Sequence, residues 1–227
     1  MIGKNNRSSA HTTEHSPQYD LSDKGFRKTL TVGAAMMTMT IAGMLLVADT
    51  MIAKAMFAVY SNPIIGVLVV GSLLTGGRHL GLKGVSDDNL PLALTGSAVL
   101  ILTYSCLGGA ILTPYSSGIY TPAIVVSGLV TVVISLMAGA YVYSTDKNLS
   151  HWKMYSGYAF LGVIITALIG TFYTPLLIVS FILGLLGFVA DLVYEIWMTS
   201  NKNRSAEANG IALYVAFAGV FVHILRI

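Results

Sequence analysis

Seven apolar stretches, each close to the length that crosses a bilayer, constrain this chain more than any other feature. They run over Thr29–Ala48, Met56–Thr75, Leu92–Leu112, Thr121–Tyr143, Met154–Phe172, Leu176–Trp197 and Ala208–Leu225. A hydrocarbon slab of ~30 Å needs about 20 helical residues at ~1.5 Å each. The apolar residues are continuous rather than alternating, which excludes a strand barrel. Of 227 residues, 55% are hydrophobic and 10% charged, against roughly 25% charged in a soluble domain. The expected fold is therefore all-α, a polytopic membrane bundle of seven transmembrane helices, with the lipid bilayer as its first partner.

Lys and Arg are distributed unevenly between the two ends of such a bundle. With seven crossings, one side receives Lys4, Arg7, Lys24, Arg27, Lys28, Arg78, Lys83, Lys147, Lys153, Lys202 and Arg204. The other receives only Lys54 and Arg226, so the thirteen cations divide eleven to two. This asymmetry predicts an N-terminus on the positive, cytosol- or matrix-like side. The net charge of +3 is thus a membrane signature, and nucleic acid is not an expected partner.

Residues 1–25 read as a polar, flexible tail and 26–227 as the membrane domain. The start lacks the apolar stretch of a secretory signal, but its first thirteen residues carry Lys4 and Arg7 and no acid. That is a weak echo of an organelle transit peptide. Cys106 is the only cysteine, so an intrachain disulfide or a cysteine-cluster metal site is excluded.

Eight of the ten acidic residues fall in the tail, loops or helix ends, leaving Asp191 and Glu195 inside the sixth run. A charge in hydrocarbon costs at least ~2.5 kcal/mol on insertion scales and should face protein or water. Gly184, Gly187, Asp191 and Glu195 share one helical stripe, and its glycines admit a close neighbour. Two carboxylates one turn apart are costly to ionise together, so the pair can hold a proton or a cation. The plainer alternative has Glu195 snorkelling or pairing with Arg78 or Arg204. Arg78 reads either as counter-ion to these acids or as a positive-side anchor. His223 reads as a proton relay or as a histidine bonded between helices, while Tyr104, Ser105 and Cys106 read as structural.

Enzyme signatures fail. Ser156 has Gly157 after it but Met154 where a rhomboid-type nucleophile motif needs glycine, and Gly187-Phe188-Val189-Ala190-Asp191 is not the Gly-x-Gly-Asp of an intramembrane aspartyl protease. No nucleotide fingerprint or His-rich metal motif occurs. No enzymatic activity, resident cofactor or metal site is expected.

Three stretches resemble the Bax inhibitor-1 (transmembrane Bax inhibitor motif) family over Phe26 to Ile227. They are Phe26-Arg27-Lys28-Thr29, the loop Tyr143-Ser144-Thr145-Asp146-Lys147-Asn148-Leu149-Ser150, and the ending from Ala212-Leu213-Tyr214 through Ile224-Leu225-Arg226-Ile227. The resemblance implies seven helices and, for several members, a proton-sensitive calcium leak gated by two aspartates on the last two helices. Val193-Tyr194-Glu195 places Glu195 at the first of these positions, but Leu213-Tyr214-Val215-Ala216-Phe217 places Ala216 at the second. Alanine neither shares a proton nor repels a charge, so the pair is incomplete. Two expectations follow. One is a leak passing Ca²⁺ or protons by Glu195 and Asp191 with Arg78 as counter-ion. The other is a non-conducting structural or assembly subunit of a larger membrane complex, for example in the mitochondrial inner membrane.

Overall fold

The computed structural model describes residues 24–115, 117–201 and 204–227. The polar tail expected over residues 1–25 lies outside the described residues as far as residue 23, and the first helix opens at Lys24. Among the described residues eight helices follow one another: α1 Lys24–Val47, α2 Met51–Ser61, α3 Pro63–Ser86, α4 Leu90–Leu112, α5 Ser117–Tyr143, α6 His151–Gly170, α7 Pro175–Ser200 and α8 Ala206–Leu225. Seven are long and apolar enough to cross a membrane, and α2 is not.

The second run departs from its expected limits. Instead of one span over Met56–Thr75, the chain breaks at Asn62-Pro63. The Asn62 side chain accepts the N–H groups of Ile64 and Ile65, both at 3.2 Å. Pro63 supplies no N–H and its ring would clash with the carbonyl four residues earlier in a continuous helix, so it suits only a first turn. The span therefore starts at Pro63 and extends to Ser86, which places Arg78 well inside α3 rather than at its end. The preceding α2, capped by Thr50, leaves Met51, Ile52 and Phe57 exposed. At eleven residues it is about 16 Å long, too short to span and apolar enough to lie in the interface. Its Tyr60 hydroxyl is buried without a partner, and burial pushes that phenol well above its ordinary range.

α8 occupies the middle of the bundle, packed by α1, α3, α4, α5 and α7. Within its most apolar 18 residues 78% are buried, against 17% to 39% for the other six spans. Small residues make this possible: Ala212, Ala216 and Ala218 are fully buried, with Tyr214 and Phe221 filling the spaces between them. The Phe26-Arg27-Lys28-Thr29 stretch ties α1 to the start of α8, since Thr29 donates to the Ala206 carbonyl at 3.1 Å and Lys28 pairs with Glu207. α3 and α4 cross in near backbone contact. A methyl on Gly96 would sit 2.6 Å from the Gly77 carbonyl oxygen and closer still to the Gly81 nitrogen. Their connection is short because Asp88 takes a left-handed conformation, φ 50°, which aspartate tolerates better than most residues.

Candidate functional site, a buried ladder of ion pairs

Asp191 and Glu195, four residues apart on α7, project from one face and are each 1% exposed. Neither is left to hydrocarbon. Arg78 of α3 stands between them, donating through Nη1 to Asp191 Oδ2 at 2.8 Å and through Nη2 to Glu195 Oε1. The second oxygen of each acid is also taken. Lys153 Nζ of α6 reaches Asp191 Oδ1 at 2.6 Å, and Arg204, in the link to α8, reaches Glu195 Oε2 at 2.8 Å. The order is Lys153, Asp191, Arg78, Glu195, Arg204, with charges alternating along it.

Three cations and two ionised acids leave a formal charge of 3 − 2 = +1 on this ladder. The deeper members are the most enclosed: side-chain exposure is 2% for Asp191 and 19% for Arg78, but 47% for Lys153 and 26% for Arg204. Lys153 and Arg204 therefore form the mouth of the site. The Tyr194 ring lies between them, 5.4 Å from the Lys153 nitrogen and 6.0 Å from the Arg204 guanidinium, and its negative face holds both cations inward. Removing one partner of a buried pair strands the other's charge, at about 3–5 kcal/mol, so the ladder behaves as a unit.

Arg78 bridges both acids. The acids meet through that guanidinium rather than through a shared proton. Ala216 is fully buried beside Leu192, Val193 and Val220 in an apolar cluster. His223 stands apart from the ladder. Its Nδ1 bonds the Gly219 carbonyl one turn back on α8 at 2.8 Å, not a group across helices, and its ring packs between Phe181 and Phe188. Tyr104 donates to the Val215 carbonyl at 2.9 Å and meets Tyr214 edge to face. Ser105 donates to the Thr40 carbonyl, and Cys106 is a free thiol.

Lys153 was not singled out among the expected site residues, yet a signal existed. It lies 19 residues before Phe172 and Asp191 lies 18 after Tyr173, so an antiparallel α6–α7 hairpin puts both at one depth. No group of three or more His, Cys, Asp or Glu gathers among the described residues, so Asp191 and Glu195 are the carboxylates this site offers a cation.

The fold and site define a class: a multi-pass integral membrane protein built around one central helix, with two buried carboxylates paired to cations from three sides. A family model described as inhibitor of apoptosis-promoting Bax1 matches residues 23–227, and the chain belongs to this Bax inhibitor-1 family. No curated protein and no solved structure matches the chain.

Proposed function

We propose that this chain is a cation leak of the Bax inhibitor type, closed by fixed cations rather than by a proton shared between two helices. The observation that carries this reading is the guanidinium of Arg78 bridging Asp191 and Glu195. While the ladder is intact its +1 charge repels a cation at close range. With the cations withdrawn, the same two carboxylates present −2 in a poorly solvated site and attract Ca²⁺ or protons. Lys153 and Arg204, the more exposed pair, are the groups free to swing toward water, and the stem of each is long enough to snorkel. In this reading the mouth faces the positive, cytosol- or matrix-like side, which the eleven-to-two distribution of Lys and Arg supports.

The second reading, a non-conducting subunit of a larger membrane assembly, is favoured by Ala216, which removes the switch across α7 and α8. Ca²⁺-dye flux in proteoliposomes separates the two. A leak predicts low flux in the wild type, a several-fold rise in Arg78→Gln and loss in Glu195→Gln, each variant first eluting as a single folded species. Silence in both the wild type and Arg78→Gln, with flux only in Ala216→Asp, would overturn the leak in favour of the subunit.

A further inference from the structure

At the opposite end of the bundle a groove of about 490 Å³ opens between the first turns of α7 and the end of α8. Its walls are Thr174, Leu177, Ile178 and Phe181, and its rim carries Arg226. The size lies within the roughly 300–1,000 Å³ of ligand clefts. Arg226 leans over the groove, its guanidinium 5.7 Å from the centre of the Phe181 ring. Unlike Lys28, Arg78, Lys153 and Arg204, it has no carboxylate within ion-pair distance among the described residues. The other charged side chains at this end of the bundle are Asp49 and Lys54, and Asp49 accepts the Tyr120 hydroxyl at 2.7 Å.

An anion that complements Arg226 is available outside the protein, at the level of the lipid headgroups. Phe172 and Tyr173, 92% and 60% exposed, sit in the loop that opens α7, where aromatic residues mark the headgroup level. The N-terminus of α7 adds the positive end of its dipole, and the Thr174 side chain makes no capping bond to it. Below that level the wall is apolar. A peptide seated there would bring unpaired backbone groups into hydrocarbon; an acyl chain would not.

We propose that this groove holds one anionic glycerophospholipid, its phosphate on Arg226 and one acyl chain along Leu177, Ile178 and Phe181. The test is native mass spectrometry of the full chain in mixed micelles titrated with phosphatidylglycerol or phosphatidylcholine of matched chains, with inorganic phosphate as competitor. The wild type should retain one phosphatidylglycerol with about a fivefold preference over phosphatidylcholine, the effect of one cation near a membrane surface. Arg226→Gln should abolish the preference and Arg226→Lys keep it. Ile178→Trp, which fills the groove and spares the cation, should lower occupancy by both lipids. Equal occupancy by the two lipids in the wild type, an unchanged preference in Arg226→Gln, or displacement of the lipid by inorganic phosphate would overturn the proposal.

Discussion

Arg78 is the residue on which the ladder turns, because it alone touches both acids. Arg78→Gln leaves two buried carboxylates with one cation each and should lower the unfolding free energy by about 3–5 kcal/mol. The triple variant Arg78→Gln, Asp191→Asn, Glu195→Gln removes the stranded charge and should recover most of that loss. Thermal unfolding in detergent, followed for all three proteins, checks this: a triple variant no more stable than Arg78→Gln would mean that the bonds, and not the charges, matter. The two acids were legible in the sequence, since no other carboxylates lie deep in an apolar run and their spacing of four puts them on one face. That each would bind two cations was not. Lys153 sits in a stretch that reads as loop and surface, and only pairing residues by depth across the α6–α7 turn brings it to Asp191.

Helices α3 and α4 show how much an element can hide from a reading by hydropathy. Gly77, Gly81 and Gly84 are buried against Ala93, Gly96 and Leu100, whereas Gly76, one position away, meets nothing within 4 Å. Gly96→Ala pushes a methyl into the backbone of α3 and should cost about 1–3 kcal/mol, as overpacking does. Gly76→Ala should be neutral or stabilising by up to ~1 kcal/mol, the helix propensity of alanine over glycine. The pair of unfolding midpoints tests the crossing: equal shifts would show that the helices do not approach as described. The same weakness of hydropathy explains α2. Apolar residues on both sides of Asn62-Pro63 form one run, and only the cap and the proline divide it.

For the molecule as a whole, the count of seven spans was visible because length and charge agree on it. The orientation can be tested with single cysteines in a Cys106→Ser background. Cysteine at Asp146 should react with an impermeant reagent from the cytosol- or matrix-like side and cysteine at Thr174 from the other; labelling of both from one side would refute the arrangement. The central place of α8 was harder to see. Its mean hydropathy of 1.8 lies between the 1.4 and 2.6 of its neighbours, because hydropathy measures escape from water and treats lipid and protein as alike. What sets α8 apart is its small residues, and Ala212, Ala216 and Gly219 show that face in the sequence.

A hub that comes after its rim imposes an order on biogenesis. The ribosome delivers α1 through α7 to the membrane before α8 exists, so the six spans among them must insert without the helix that later forms their centre. Arg204 and α8 arrive together, completing both the ion ladder and the core in one late step. A chain cut before Arg204 then lacks both the central helix and one of the two cations on Glu195, and exposes the polar site that the finished protein conceals.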